Sequence, residues 1–190
     1  MKIAMTAIGI VDPGVLAAAG RCIREHFGGD VQRRAPLAIP DSAFDARRKQ
    51  FSSVAFMLAL ARLATGDADR LIGVTECDLF IPMLTFVFGQ AQLRGRIALV
   101  SLARLRQEFY GVAPDPDLLE GRLEKEIAHE LGHSFGLIHC PDRECVMSLA
   151  TSIQEVDRKR AEFCHSCGRT LGEECKGEED ESKMADSGRR

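Results

Sequence analysis

Residues 129 to 139 read His129-Glu130-Leu131-Gly132-His133-Ser134-Phe135-Gly136-Leu137-Ile138-His139, and no other stretch limits the chain as much. Side chains four apart on an α-helix project from one face, so His129 and His133 can offer imidazole nitrogens to one ion, with Glu130 beside them. Gly136 can take the φ > 0 conformation that ends a helix, which turns the backbone so that His139 returns as the third ligand. Three neutral imidazoles then hold Zn²⁺ and leave a fourth position for water. Zinc lowers the pKa of bound water toward ~7, and a carboxylate within reach takes the proton as the water attacks a carbonyl, which makes Glu130 the candidate base. An isolated HExxH arises by chance on many helices, whereas the added glycine and third histidine make the pattern far more restrictive.

Four cysteines follow in order: Cys140 directly after the third histidine, Cys145 after a gap of four residues, then Cys164 and Cys167 as a CxxC. Four thiolates satisfy tetrahedral Zn²⁺ completely, so this spacing suits a closed structural site. Two disulfides are the competing reading, disfavoured where thiols stay reduced. Because Cys140 adjoins His139, a metal at the cysteines would also hold the segment that delivers the third histidine. His165, inside the CxxC, is expected as an exposed loop residue.

The run HExxHxxGxxHC, Cx4C, Met147 and the later CxxC resembles the archaemetzincins, a branch of the metzincin metallopeptidases that carries a second zinc. The 16 residues from 148 to 163 are one fewer than the family's pattern has, a loop adjustment that removes no ligand. The resemblance is specific over residues 129 to 167 and looser upstream. It implies a zinc metallopeptidase with two zincs, one at His129, His133 and His139 and one at Cys140, Cys145, Cys164 and Cys167. It also implies an apolar floor at Met147 beneath the catalytic zinc, a role that any core methionine could share by sequence alone.

With 190 residues, 45% hydrophobic and 28% charged, the chain suits one globular domain. A formal charge of −3 supplies no basic field for nucleic acid. The apolar N-terminus imitates an export signal, but Asp12-Pro13 interrupts it, and no stretch reaches the ~18 apolar residues that span a membrane. A cytoplasmic monomer is expected.

Read in order, residues 2 to 10 form a strand, Asp12 caps and Pro13 opens a helix to residue 27, and residues 30 to 39 make a second strand. Residues 45 to 50 read as a solvated linker or first helical turn. A helix over about 51 to 65 follows, with Phe51, Val54, Ala55, Leu58 and Ala61 as its apolar stripe. A strand over 71 to 75, a strand pattern within 78 to 91 and a strand over 97 to 102 complete a mixed, partly parallel sheet. The Phe86-Val87-Phe88-Gly89-Gln90-Ala91 stretch resembles the edge strand on which metzincins lay an extended substrate, although an interior strand would look similar. Tyr110 is half-buried packing or a group that polarises a carbonyl. Asp117 caps the metal helix with Glu120 three residues on. Leu119, Leu123, Ile127 and Leu131 form its core stripe. Cys22 and Cys77 are expected as buried, inert thiols.

The expected fold is therefore α/β (α+β) and metzincin-like. A single catalytic domain occupies residues 1 to 169, with an N-terminal subdomain to about 136, a C-terminal one over about 137 to 169, and the cleft between them. Residues 170 to 190, rich in Glu and Asp, are expected as a disordered acidic tail with Cys175 a free thiol. The expected partner is a peptide or protein substrate. The alternatives are a zinc-stabilised peptide- or protein-binding module without hydrolysis and, more weakly, a zinc-ribbon nucleic-acid module.

Overall fold

The structure is a computed structural model that describes residues 1–64, 66 and 68–175. Strand β1 (Lys2–Ile8) is buried along almost its whole length, as a strand covered on both faces of a parallel sheet must be. It leads into α1 (Pro13–Phe27), capped by the Asp12 carboxylate, which accepts from the backbone N–H groups of Gly14 and Val15. Then come β2 (Asp30–Arg33), the hairpin β3 (Phe44–Asp45) and β4 (Gln50–Ser52), α2 (Ser53–Leu63), β5 (Arg70–Thr75), β6 (Leu79–Phe80), β7 (Gly89–Ala91) and β8 (Ile97–Ser101). Helices α3 (Pro116–Ser134) and α4 (Ile153–Arg158) follow, and residues 165–175 are helical.

The main sheet has the order β2-β1-β5-β8-β7, parallel except for β7, which runs antiparallel to β8 at one edge. Alternation along the strands divides the core in two. Ile3, Met5, Ile72, Val74, Ala98 and Val100 face the layer that holds α1 and α3, whereas Ala4, Ile8, Leu71, Ile97 and Leu99 face α2. Leu119, Leu123, Ile127 and Leu131 of α3 are all buried in the first layer, as their spacing predicts. The C-terminal segment joins that same layer through Val146, Met147, Ile153, Val156 and Leu171.

Four local expectations are corrected. Residues 45 to 50 close a hairpin, in which Asp45 accepts from the N–H groups of Arg47 and Arg48 and Lys49 takes φ 55°. Helix α2 buries Phe56, Met57 and Leu60, while Val54 and Leu58 are exposed. Apart from Ser53 and Arg62 the helix is apolar, so its own pattern only weakly chooses a face. The choice falls to Ser53, whose hydroxyl bonds to Phe80 O and Gln90 Oε1. Helix α3 is capped by Asp115, not Asp117: the Asp115 carboxylate accepts from Leu118 N–H, with Pro116 as the first helical residue. Lastly, residues 170–175 are not a tail but the end of the closing helix, held by buried Leu171 and by a two-pronged ion pair from Glu174 to Arg94. The rest of the expected acidic tail lies outside the described residues.

The cap assignment predicts that Asp115→Ala lowers stability by about 1 kcal/mol. Asp117→Ala loses only a charge near the helix dipole and should cost about 0.5 kcal/mol or less. Urea unfolding of the two variants compares them directly, and equal losses would contradict the Asp115 cap.

Candidate active site

Helix α3 delivers His129, Glu130 and His133 on consecutive turns. Gly136, at φ 94°, reverses the chain, and its N–H bonds to His133 O while that of Leu137 bonds to Gly132 O. This turn brings His139 back, so that one ring nitrogen from each of the three histidines lies within 4.8 Å of the others.

The tautomers follow from the partners. His129 Nδ1 lies 2.8 Å from Val146 O and His133 Nδ1 lies 2.7 Å from Leu137 O. A carbonyl only accepts, so both Nδ1 atoms carry the proton and both Nε2 atoms present lone pairs. Those two Nε2 atoms face each other at 3.1 Å. Two lone pairs repel at that distance unless a cation sits between them, and tetrahedral zinc sets ligand nitrogens roughly 3.3 Å apart. Burial lowers the pKa of all three histidines, most strongly that of His129, and so favours the neutral form that binds metal. The residues present therefore fit zinc.

Glu130 is buried and its carboxylate accepts no hydrogen bond from a described residue. Burial, followed by the nearby Glu126 carboxylate, raises its pKa well above the ordinary value, and the Lys159 ammonium opposes the shift. The carboxylate lies against Gly89 of β7: a Cβ there would sit 2.6 Å from Glu130 Oε1 and 2.6 Å from Leu99 O. Glycine is required at that point by close approach. Met147, fully buried, packs in the same way on Gly132, where an added Cβ would be 2.6 Å from its sulfur. The methionine thus lies beneath the helix turn that joins His129 to His133.

These residues line a cleft of about 320 Å³. One wall is residues 84–91, and the other comprises Glu126, the three histidines, Glu130, Leu149, Ala150, Thr151 and Lys159. Strand β7 forms an edge here. Its pairing register puts Phe88, Gln90 and Gln92 in hydrogen bonds with β8, so Gly89 and Ala91 direct their N–H and C=O groups away from β8, along the free edge. Tyr110 is elsewhere: its hydroxyl donates to Arg104 O at 3.0 Å and its ring packs edge-on against Phe109.

The second cluster holds the Cys140, Cys145, Cys164 and Cys167 sulfurs within 4.8 Å of one another, with Cys140 and Cys164 Sγ 3.8 Å apart. Tetrahedral zinc with thiolate ligands sets sulfurs roughly 3.8 Å apart. The Cys164 N–H donates to Cys145 Sγ, and the Cys167 backbone amide holds the Cys164 thiol down at about 7, which favours thiolate. Cys140 N–H bonds to Met147 O, joining the cluster to the residue beneath the histidines. His165 is exposed, on the first turn of the closing helix. Cys22 and Cys77 are buried, and burial pushes the Cys22 thiol up to about 12. None of the seven cysteines forms a disulfide, and Cys175 packs against the main core.

Sequence reasoning did not single out Gly89, Gly132, Glu126 or Lys159. For the glycines no signal was available, because what requires them is the approach of a residue distant in the chain. Glu126 had a weak one, its place four residues before Glu130.

The profile of Peptidase family M54 matches residues 39–173. The chain is 42% identical over 171 residues to an archaemetzincin of Methanocaldococcus jannaschii, covering 90% of this chain and 93% of that one. The crystal structure of the Methanopyrus kandleri archaemetzincin matches with a TM-score of 0.80 at 40% identity, over 93% of this chain and 96% of the other. A zinc-dependent peptidase from Methanocorpusculum labreanum also superimposes with a TM-score of 0.80, at 32% identity over 89% and 99% of the two chains. No helix among the described residues is long and apolar enough to cross a membrane. A neutral three-histidine cluster, an unshared carboxylate at a sheet edge and these likenesses converge: the chain belongs to peptidase family M54, the archaemetzincins, and is a zinc metallopeptidase.

Proposed function

We propose that His129, His133 and His139 hold the catalytic zinc, that Glu130 is the general base, and that Cys140, Cys145, Cys164 and Cys167 hold a second, structural zinc. One observation carries the reading: the Glu130 carboxylate, buried and with no hydrogen-bond partner among the described residues, lies against Gly89 of β7 in the cleft that the three histidines line. Zinc held there by the three imidazoles would lower the pKa of a coordinated water toward ~7 and polarise a carbonyl.

The chain's own residues do the remaining work. Gly89 and Ala91 pair with the backbone of an extended peptide and bring its carbonyl over the histidines. Glu130 takes a proton from the attacking water on an unshared carboxylate oxygen and passes it to the departing amine. The cleft walls exclude bulk water and strengthen each of these interactions. Met147 and Gly136 support the ligands, one beneath the helix and the other at the turn. Cys140, Cys145, Cys164 and Cys167 would hold the second zinc and so fasten the segment that begins at Cys140, next to His139. A reducing compartment such as the cytoplasm suits this reading, since all four thiols must stay available to metal.

Glu130→Gln should lower kcat/KM on a peptide library by about 10²- to 10⁴-fold, with zinc content unchanged by mass spectrometry. Full rate in that variant would remove Glu130 as base. Wild type should carry two zincs per chain, and His129→Ala should lose one without loss of fold. Cys164→Ser should lose the other and lower the Tm. A single zinc in well-folded wild type would eliminate the structural site. Finally, Gly89→Val should cut kcat/KM about 100-fold by displacing Glu130, with both metals retained. An unimpaired variant would mean that the β7 edge does not bear on the base.

A further inference from the structure

Glu126 and Lys159 take no part in the chemistry proposed above, yet both line the cleft beside Glu130 and the histidines. Their side chains are 4% and 1% exposed, and Lys159 Nζ lies 3.5 Å from Glu126 Oε1. Charge-assisted bonds are normally ~2.7–2.9 Å long, so this contact is loose. An ammonium has three donors, and among the described residues Glu126 is the only side chain to which Lys159 is hydrogen-bonded. Stability does not account for such a pair. Two charges taken out of water cost more than a well-packed apolar pair of the same size, unless their hydrogen bonding is nearly complete.

We infer that Glu126 and Lys159 form the floor of a specificity subsite, in which Lys159 receives a carboxylate of the substrate next to the bond being cut. Glu126 lies one turn before Glu130 on the same face of α3, about 6 Å along the axis. That offset is close to the distance from a peptide carbonyl to the end of a neighbouring side chain, and too large for contact with the scissile oxygen itself. Lys159 keeps donors unused and so calls for an acceptor, while Glu126 keeps spare lone pairs that would call for a donor, and the sign of the charge in the cleft separates the two. Charge agrees: with zinc on the imidazoles, the cleft holds one positive charge in excess after Glu126 and Glu130 are counted. The carboxylate comes from an Asp or Glu side chain or from the free C-terminus of a short peptide. Glu126 holds the ammonium in place when no substrate is bound.

The inference rests on the peptidase reading, and the test separates the two. Zinc-loaded wild type, Lys159→Met and the double variant Glu126→Gln/Lys159→Met are incubated with a library of matched peptides and read by mass spectrometry. The peptides differ only in Glu against Gln, Asp against Asn, or C-terminal acid against amide. Wild type should favour the acids by about 10- to 100-fold, the size of one hydrogen bond to a charged group, and both variants should lose that preference while still cutting the amides. Preference for acidic side chains beside the cut bond identifies the side chain as the source, and preference for the free terminus identifies the C-terminus. The double variant leaves no unpaired buried charge, so it reads the subsite even if Lys159→Met fails to fold. Equal cleavage of acids and amides by wild type would overturn the subsite, as would a preference that survives in the variants. If wild type cuts nothing, the peptidase reading falls, and calorimetric titration of the same peptides decides the subsite alone. Acids binding about tenfold tighter to wild type and not to the double variant would uphold it, and equal affinities would refute it.

Discussion

Two hydrogen bonds from histidine rings to backbone carbonyls constrain this structure most. His129 and His133 can face one ion only if their Nδ1 protons are held elsewhere, and the acceptors are Val146 O and Leu137 O, both beyond the end of the metal helix. The rings are therefore oriented by a segment that must first turn at Gly136 and fold back beneath the helix. Met147, packed on Gly132, holds that segment at van der Waals distance, and a side chain at Gly132 would force the two apart. Ligand orientation and core packing are one constraint here, because the same backbone supplies both.

The returning segment is fastened from several sides. Cys140 bonds to Met147 within it, and the four sulfurs gather its beginning and the CxxC into one cluster. Buried Arg122 of α3 makes a two-pronged bond to Asp157 of α4 and donates a third to Leu105 O, so the metal helix, α4 and the loop after β8 move together. On the opposite side Arg94, in the turn between β7 and β8, bonds its N–H to His133 O and its guanidinium to Glu174 of the closing helix. Ligands, sheet edge and C-terminal helix thus form one connected body. A site that positions three imidazoles and a carboxylate needs this rigidity, since misplacement by ~1 Å can cost two orders of magnitude in rate.

Electrostatics in the cleft come from burial more than from any single pair. Removal from water raises the carboxyl groups of Glu126 and Glu130 and lowers the histidines, and Lys159 opposes the first shift and adds to the second. The result is neutral imidazoles beside a basic carboxylate, the combination that metal-assisted hydrolysis needs.

Spacing along the chain picked out the three histidines and four cysteines that the structure gathers into two clusters, because HExxHxxGxxH and the cysteine pattern are local geometry: four residues per helical face, a positive φ at Gly136, thiols in pairs. The stripe from Leu119 to Leu131, the Asp12 cap and the nearly continuous apolar strands were legible for the same reason. Tertiary structure decided what local pattern leaves degenerate. Helix α2, apolar apart from Ser53 and Arg62, has no clearly preferred face until Ser53 finds Phe80 and Gln90. The Asp115 cap, by contrast, was legible locally, since Pro116 suits the first helical position and leaves Asp115 just before it. An acidic run reads as tail until Leu171 finds the core and Glu174 finds Arg94. The need for glycine at 89 and 132, and the placing of Lys159 against Glu126, depend on distances between residues far apart in sequence. Chain periodicity carries no such distances, so only the folded structure set them.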